Sequence, residues 1–401
     1  MGKQFPLHEV CFVDREIVEP KTDMARRLPY LGLEHVESGT GRITRDASTT
    51  SMDDGMSATF RFDERHILYG KLRPYLNKVA LPAFEGRCTT EIMPLRPTDV
   101  IDREYLAFIL RSERVVAAAT RFSTGSRMPR ADLDQLLTLE IEIPNLDVQR
   151  ACVKQVREIV DAAETAITLT KILLKDSSLL TRAYLREQFG KSVPIFIGRM
   201  GNSPQGWRSH KLPDLARLES GHTPSRRHPE WWGGNVPWLA LPDIRKLHGK
   251  NAYETTEYTN DAGLRNSSAR LLPVSTVCLC RDASVGFVTI LGRPMATSQH
   301  FANWVCDPEK LDAEFLLYAF MASYDYLHSL GSGSVIKTIY MPTIKSLHVC
   351  APDIAEQRRI ARALRERLAA AESLTTGLET RLAEIERLPQ RLLTAVFGQA
   401  G

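Results

Sequence analysis

The same series of motifs occurs twice in this chain of 401 residues, about 208 positions apart. The run Tyr30-Leu-Gly-Leu-Glu-His-Val36 corresponds to Trp238-Leu-Ala-Leu-Pro-Asp-Ile244. Further matches follow in the same order: Asp102 and Asp312, Gly125-Ser126 and Gly333-Ser334, Pro144 and Pro352, Gln149-Arg150 and Gln357-Arg358, Ala162-Ala163-Glu164 and Ala370-Ala371-Glu372, Phe189-Gly190 and Phe397-Gly398. Because chance matches would not keep one spacing, the pattern predicts two tandem copies of one structural unit.

Each copy has two parts of different character. The first part mixes short β-rich runs, such as Val277–Cys280 and Phe287–Ile290, with turn residues. It also contains one predicted helical stretch, Glu104 to Ala119 in the first copy and Glu314 to Leu327 in the second. The second part carries apolar residues every three or four positions, as an amphipathic helix does.

The periodic segments predict one long helix in each copy. Asn145 and Asp353 follow prolines and are placed to cap the helix starts. Phe189-Gly190 and Phe397-Gly398 are placed to end the helices, and Pro389 is expected to kink the second helix or end it early. An apolar stripe must be buried, so the two helices are expected to pack on each other, antiparallel if a two-fold axis relates the copies. The alternative is a helical pair on the surface of a single globule, although globular helices average only ~11 residues.

Composition excludes several classes of protein. Hydrophobic residues make up 43% and charged residues 25%, as in globular proteins. The chain has neither an apolar run of membrane-spanning length nor an apolar signal core at its N-terminus, which predicts a cytoplasmic protein without a membrane partner. Seven scattered cysteines without a CxxC pair favour neither a disulfide framework nor a zinc site, and Cys278 and Cys280 are expected to be buried in a strand. The net charge of +4 weakly favours a nucleic-acid partner.

Two similar domains joined by long helices suit a ligand that repeats along a line. Duplex DNA is such a ligand, because equivalent groove faces recur every ~34 Å. A repeat in the protein would then match a split target with a fixed gap.

Several motifs resemble those of the specificity subunits of type I restriction-modification enzymes. That family shows Ser-Gly-x-Thr-Pro, then aromatic-Gly-Gly-x-Ile-Pro-Trp, then Asp-Ile at the start of a target-recognition domain, and Pro-x-x-x-Glu-Gln at the entry to a helix. The corresponding segments here are Glu219-Ser-Gly-His-Thr-Pro224, Trp231-Trp-Gly-Gly-Asn-Val-Pro-Trp238, Asp243-Ile244 and Ala351-Pro-Asp-Ile-Ala-Glu-Gln-Arg-Arg-Ile360, with Ile143-Pro-Asn-Leu-Asp-Val-Gln-Arg150 as the first-copy version. The first copy lacks the first two motifs, so loop positions are not transferred to residues 8–28.

The resemblance implies an α+β fold with an internal pseudo-two-fold repeat. In this fold, two α/β target-recognition domains are separated by two long antiparallel coiled-coil helices. The implied segments are recognition domain 1 at 1–145, long helix 1 at 146–192, a linker at 193–210, recognition domain 2 at 211–352 and long helix 2 at 353–401.

The resemblance also implies a non-catalytic subunit that binds a bipartite DNA target and directs methylation and restriction by its partners. Each recognition domain would read one half-site. The implied partners are double-stranded DNA, two methyltransferase (modification) subunits and restriction endonuclease/translocase subunits. No cofactor is expected on this chain, whereas S-adenosylmethionine, ATP and Mg are expected on the partner subunits.

Basic and small residues at matching places predict DNA contacts. Phosphate contacts that set the register are expected from Lys71, Arg73, Gly125, Ser126 and Arg127 in the first copy, and from Arg281, Gly333, Ser334 and Lys337 in the second. In the polar loop that follows Gly221, further DNA contacts are expected from His222, Thr223, Arg226 and Arg227, since an arginine fork can hold guanine or phosphate. Turns that only build the fold, or a solvated loop, are the structural alternatives.

Catalytic motifs are not found. The run Gly331-Ser-Gly-Ser-Val-Ile-Lys337 lacks the glycine that a P-loop needs directly before its lysine, and no methyltransferase motif with Asn/Asp-Pro-Pro-aromatic occurs. Pro242-Asp243 is not followed by the acidic-x-Lys of a nuclease, and His222, His228 and His300 are not spaced as ligands on one element. Two other functions remain open: a self-contained DNA-modifying enzyme, and a coiled-coil adaptor that does not bind DNA.

If the helices set the gap of a split target, lengthening one of them should lengthen the gap. Four residues inserted after Leu179 would extend the first helix by roughly 6 Å, close to two base pairs at ~3.4 Å each. Sequencing the modified sites of this variant should show more unspecified bases between unchanged half-sites. An active variant with an unchanged gap would contradict the idea.

Overall fold

The structure of the chain, a computed structural model, describes residues 2–44, 57–190, 193–198, 205–333 and 337–397. The chain divides into two units, which we call unit 1 (Met1–Leu173 with Leu378–Gly401) and unit 2 (Leu174–Gly377). Ser334 and Gly398, which the sequence patterns singled out, lie outside the described residues.

Unit 1 is built from short strands and helices that lead into a helix of 44 residues. Its elements are β1 Lys3–Pro6, α1 Leu7–Val10, β2 Cys11–Val13, β3 Ile17–Val18, α2 Asp23–Arg27, β4 Tyr30–Leu31, β5 Thr59–Phe62, β6 Ile67–Gly70, β7 Val79–Ala80, β8 Gly86–Cys88, β9 Ile92–Pro97, α3 Arg103–Arg111, α4 Glu113–Arg121, β10 Ser123–Thr124, β11 Arg130–Ala131, α5 Leu133–Leu136, β12 Glu140–Ile143 and α6 Leu146–Phe189, of which residues up to 173 belong to this unit.

Unit 2 follows the same plan and ends in a second helix of 44 residues. Its elements are β13 Ile195–Ile197, β14 Arg208–Lys211, α7 Leu212–Leu215, β15 Ala216–Ser220, β16 Trp232–Leu239, α8 Leu241–Leu247, β17 Asn251–Ala252, β18 Glu257–Thr259, α9 Asp261–Arg265, β19 Val277–Cys280, β20 Val288–Leu291, β21 Ala296–Thr297, β22 Phe301–Cys306, α10 Ala313–Ala322, α11 Tyr324–Leu330, α12 Met341–Lys345, β23 Leu347–Ala351 and α13 Ile354–Phe397, which unit 1 shares from residue 378.

The sheet topology confirms the internal repeat. Unit 1 has a sheet with the strand order β2-β9-β6-β7, and unit 2 has the corresponding order β15-β22-β19-β20, extended by β17. The parallel pair β4 and β8 recurs as β16 and β21, in which Trp238 and Leu239 take the places of Tyr30 and Leu31. The two copies therefore share one fold, although only ordered fragments of the sequence match.

The apolar runs form the central strands, as the sequence predicts. Every residue of β19 is buried, so Cys278 and Cys280 lie in the core, where burial raises the pKa of the Cys280 thiol to about 11. The predicted single helix of each recognition domain is wrong, because it is two helices in both copies. The breaks fall at Ser112, whose backbone is extended, and at the buried Ser323, whose hydroxyl accepts a hydrogen bond from the Ile195 N–H at 3.0 Å.

The long helices α6 and α13 begin where the sequence places their caps. The Asn145 and Asp353 carboxamide and carboxylate oxygens accept hydrogen bonds from the backbone N–H three residues later, both at 3.0 Å. Gly190, with a φ of 69°, follows the end of α6. In the described part of the chain, no helix is both long and apolar enough to cross a membrane.

Contacts within each unit make the two helices antiparallel, as predicted. In unit 1, Phe397 shares a buried core with Val156 of α6, while Lys171 further along α6 pairs with Glu386 at 3.2 Å. In unit 2, Ser177 bonds Thr375 at 3.1 Å and Glu187 pairs with Arg367 at 2.9 Å. The residue numbers thus rise along one helix as they fall along the other.

Pro389 does not end α13, contrary to one of the two expected outcomes. The helix continues to Phe397, although proline removes one backbone donor from its interior. Leu393 and Phe397, beyond the proline, are buried in the core of unit 1, and the Phe397 ring contacts Tyr105 edge-on at 5.2 Å. This burial compensates for the lost hydrogen bond.

A buried glutamine joins each recognition domain to its long helix. The Gln149 side chain is fully buried, accepts the Asp102 N–H at 2.7 Å, and donates to the Val100 and Pro144 carbonyls at 3.1 and 2.8 Å. In unit 2, Gln357 accepts the Asp312 N–H at 2.9 Å and donates to the Lys310 and Pro352 carbonyls at 3.2 and 2.9 Å. We call this arrangement the glutamine clamp. It fixes the start of the long helix against the start of α3 or α10.

Two ion pairs add to the clamp at equivalent places in both units. Glu104 of α3 pairs with Arg157 of α6, and Glu314 of α10 pairs with Arg365 of α13. Further along the helices, Glu164 pairs with Arg42 and Glu372 pairs with Lys250. These pairs are partly exposed, so we assign orientation rather than much stability to them.

Replacing a clamp glutamine by leucine should destabilise the corresponding unit. Gln149→Leu and Gln357→Leu keep the side-chain volume but remove the partner of one N–H and two carbonyls in the adjoining backbone. We expect a loss of about 2–4 kcal/mol in the free energy of unfolding, measured by calorimetry or urea denaturation. The exposed Gln155→Leu on α6 is the matched control. Equal stability of Gln149→Leu and Gln155→Leu would contradict the role of the clamp.

Candidate nucleic-acid interface

In unit 1, the segment after β6 lies against the β10–β11 hairpin. The Lys71 carbonyl accepts the Ala131 N–H at 2.8 Å, and the Arg73 N–H donates to the Pro129 carbonyl at 2.7 Å. Leu72 bridges to Arg130 between these two bonds. The structure therefore places residues 71–73 beside the hairpin whose turn carries the predicted Gly125, Ser126 and Arg127. We call residues 71–73 and 123–131 crest 1.

Unit 2 repeats this arrangement bond for bond. The Arg281 carbonyl accepts the Ile339 N–H at 2.7 Å, and the Ala283 N–H donates to the Lys337 carbonyl at 3.1 Å. Asp282 bridges to Thr338, as Leu72 does to Arg130. We call the described residues of 281–283 and 331–339 crest 2.

The backbone conformation of the crests is also repeated. Arg73 and Ala283 occupy the left-handed region with φ of 52° and 59°, which non-glycine residues seldom adopt. The predicted loop glycines Gly125 and Gly333 have φ of 92° and 116° and tolerate this region without strain. Strained backbone that recurs at equivalent positions marks a surface whose shape is needed.

Most of the cationic side chains of crest 1 have no ion pair or hydrogen bond within the described residues. Arg73 and Arg127 are exposed and Lys71 is half-buried, and among the described residues none of the three side chains has an ion pair or a hydrogen bond. Ser126 is exposed beside them. Arg130 instead pairs with Glu91, with nitrogen–oxygen distances of 2.9 to 3.1 Å. Three positive groups are thus free to meet an anion.

Crest 2 presents fewer free cations. The Arg281 side chain is half-buried and donates to the Gln299 carbonyl at 3.0 Å, while its Nε is buried without a partner. Lys337 is exposed, and its Nζ lies 3.3 Å from His328 Nδ1. Asp282 between them is bonded to His300 and Thr338 at 2.8 and 2.7 Å. Burial raises the pKa of Asp282, but these hydrogen bonds outweigh it and hold the pKa below the usual range.

The polar loop of unit 2 adjoins crest 2. The His222 N–H donates to the Thr297 carbonyl at 2.8 Å, and the Thr223 hydroxyl donates to the Gln299 side chain. Gln299 also accepts from Arg281 through its carbonyl, so one residue links the loop to the crest. The loop and its neighbours form a shallow, open polar depression of about 640 Å³, lined by His222, Thr223, Ser225, His228, Trp231 and Arg265–Ser268.

The Arg226 side chain is already bound by other groups of the protein. Its guanidinium pairs with both carboxylate oxygens of Glu257 at 2.6 and 2.7 Å and stacks over the Trp232 ring at 3.7 Å. The neighbouring Arg227 is exposed, and its side chain has no partner among the described residues. Sequence reasoning treats these adjacent arginines alike, whereas the structure separates their roles. No sequence pattern indicates Arg265, which lines the depression and whose side chain has no partner among the described residues.

The glycines of this loop allow close backbone approach. A Cβ on Gly221 would lie 2.1 Å from the Ser298 carbonyl oxygen, and one on Gly234 would lie 2.6 Å from that of Thr259. These turns therefore need glycine for the fold itself, whether or not they also contact DNA. Among the described residues, no three histidine, cysteine or acidic side chains are grouped so that they could hold a metal ion.

Comparison with known proteins connects these features to one family. Residues 204–387 match the family described as "Type I restriction modification DNA specificity domain". The chain is 28% identical over 167 residues to the type I restriction enzyme MjaIX specificity subunit of Methanocaldococcus jannaschii, a match that covers 41% of this chain and 38% of that protein. A second subunit of that organism, the putative MjaX specificity subunit, is 21% identical over 84% of this chain and 79% of its own length.

The fold agrees with the sequence comparison over the whole chain. The HsdS subunit from Thermoanaerobacter tengcongensis has a TM-score of 0.72 at 19% identity, covering 98% of this chain and 96% of that one. A structure described under complex assembly and conformational transition of the type I R-M system has a TM-score of 0.73 at 19% identity, covering 100% and 98%. The whole chain therefore shares the fold of these two structures, and residues 204–387 match the family of type I DNA specificity domains.

The motifs that this chain shares with the type I specificity subunits hold its fold together. The Trp238 ring nitrogen donates to the His222 carbonyl at 3.1 Å and so anchors the polar loop. The buried Asp243 accepts the Ala240 N–H at 3.1 Å and the Thr256 N–H and hydroxyl at 2.9 and 2.6 Å. Asp243 is therefore a structural carboxylate. The glutamine clamp accounts in the same way for the glutamine of the helix-entry motif.

The Arg226–Glu257 pair should make the polar loop sensitive to acid. The Arg226 guanidinium holds the pKa of Glu257 below its ordinary value. The pair therefore contributes stability at neutral pH and loses it as the pH falls below about 4, toward the native pKa. Glu257→Gln removes this titration. The thermal midpoint of the parent should fall more between neutral and acidic pH than that of Glu257→Gln, and equal falls would contradict the pairing.

Proposed function

We propose that this protein recognises DNA for a type I restriction-modification complex, binding a two-part target of which each unit reads one half-site. The observation that carries the proposal is the repeated crest. In both units, the same backbone hydrogen bonds hold two loop segments together, and these segments carry lysine or arginine residues. The alignment with MjaIX covers less than two-thirds of that relative, so the activity and partners of this chain are proposals.

The crests are suited to the sugar-phosphate backbone of DNA. Lysine and arginine side chains beside a glycine turn provide charge and donors for phosphate oxygens. Such contacts fix where the protein sits on the duplex without distinguishing bases. The repetition of the crests follows from this role, because the backbone is the same at both half-sites.

The chain supplies recognition, and its partners supply chemistry. We propose that methyltransferase subunits, two per chain, bind S-adenosylmethionine and that endonuclease/translocase subunits use ATP and Mg. The long helices are the elements common to both units, so they are the surfaces on which such shared partners would assemble. The chain would act with these subunits in the cytoplasm.

Removing crest cations should weaken DNA binding without changing the recognised sequence. Lys71→Ala, Arg73→Ala, Arg281→Ala and Lys337→Ala each delete one proposed phosphate contact. The slope of log affinity against log salt should decrease in magnitude by about one for each variant. The measurement is fluorescence anisotropy of the assembled complex on its methylated target at several salt concentrations.

Lys154→Ala is the matched control, because Lys154 is an exposed cation of α6 away from both crests in the sequence. Its salt slope should equal that of the parent. Parent-like slopes in all four crest variants, or altered half-site letters in any of them, would contradict phosphate binding by the crests. Failure of the parent complex to bind any duplex would overturn the proposed function itself.

A further inference from the structure

Two arginines of unit 2 differ from their neighbours in having no partner. Arg265 lines the polar depression, and Arg227 lies in the loop segment Ser225–His228, whose two ends line it. Both residues are exposed, and among the described residues their guanidinium groups make no ion pair or hydrogen bond. Other arginines nearby in the sequence are paired: Arg226 with Glu257, and Arg217 and Arg270 with Glu219.

The two segments that carry these arginines are fastened to each other. The Asn260 side chain, at the start of α9, donates to the Glu230 carbonyl at 2.7 Å, and the Thr259 hydroxyl donates to the Trp231 carbonyl at 2.7 Å. Gly263 within α9 packs so closely that a Cβ there would lie 2.7 Å from the Trp231 oxygen. Arg265, at the end of α9, therefore has a fixed position relative to the polar loop.

The loop is also fixed on both sides of Arg227. Arg226 is held by Glu257 and the Trp232 ring, and the His228 ring stacks on Trp231 at 4.1 Å. A rigid backbone that presents an unpaired side chain is the arrangement that precise recognition requires. Thr223, Asn266 and Ser267 also line the depression, and each donates a side-chain hydrogen bond within the protein, which holds the lining in place.

The segment that leads into the depression has a different conformation in the described part of unit 1, although the crest is repeated. The segment before β4 contains the helix α2 Asp23–Arg27, whereas the corresponding part of unit 2 contains the single 3-10 turn Pro229–Trp231. Contacts to the DNA backbone can be the same in both units, but residues that read two different half-sites must differ. The non-repeated cations beside crest 2 are therefore candidates for base recognition.

We propose that Arg227 and Arg265 read guanine bases in the half-site of unit 2, each through forked hydrogen bonds to guanine O6 and N7. This inference rests on the proposed function and names the chemistry by which unit 2 selects its sequence. Guanine presents these two acceptors side by side in the major groove, and a guanidinium matches both with parallel donors. Lysine keeps the charge but not the fork.

The first test compares the methylated sites of cells that carry the complete complex with Arg227→Lys or Arg265→Lys. Each variant should relax one guanine position of the unit 2 half-site and leave the unit 1 half-site unchanged. Arg293→Lys is the matched control, since Arg293 pairs with Glu254 outside the polar loop and crest 2, and the same change there should keep the motif. A motif that both Arg227→Lys and Arg265→Lys preserve would overturn the inference.

The second test leaves the protein intact and changes the DNA. Replacing each guanine of the half-site in turn by 7-deazaguanine removes the N7 acceptor, which should weaken binding of the parent complex about 10- to 100-fold at two positions. At the corresponding position, the Arg→Lys variant should lose little further affinity. Parent binding that is insensitive to every such replacement, or a half-site without guanine, would overturn the inference while leaving the proposed function standing. A parent complex without any bipartite methylation motif would instead overturn the proposed function.

Discussion

The glutamine clamp is the interaction on which the rest of the structure depends. A side-chain amide can donate two hydrogen bonds and accept two, and Gln149 and Gln357 each use both donors and one acceptor site on the backbone of their own recognition domain. Both glutamine side chains are buried, so an apolar replacement would lose these hydrogen bonds at a position with little access to water. The clamp therefore sets one orientation between a recognition domain and the helix that follows it.

This constraint explains why the two copies diverge so unevenly. The clamp, the Glu104–Arg157 and Glu314–Arg365 pairs and the crest backbone recur at equivalent positions. The loops between these fixed points differ, as the polar depression of unit 2 illustrates. A scaffold that is fixed by a few repeated contacts leaves its remaining surface loops free to change sequence preference without loss of the fold.

The sequence predicted those features that are encoded locally or by the repeat. The constant offset indicated two copies, and the prolines followed by Asn145 and Asp353 indicated the helix starts, since a cap acts on residues three positions away. The break at Ser112 and the continuation of α13 past Pro389 were not predictable, because burial by distant residues decides both. The clamp was visible only as a repeated glutamine, since Asp102 lies 47 residues before Gln149. The difference between Arg226 and Arg227 depends on Glu257, 31 residues away in the chain.

The central claim is that both units are copies of one recognition module, each joined to its long helix by the same clamp. The most direct test of this claim is an exchange of domains. Residues 211–352 would be replaced by a second copy of residues 1–145, which brings its own Asp102 to Gln357. Methylated sites would then be mapped in cells that carry the chain with its methyltransferase. The account predicts a folded complex that recognises the unit 1 half-site on both sides of the gap. A chain that retains the original half-site of unit 2, or that cannot fold with the exchanged domain, would contradict it.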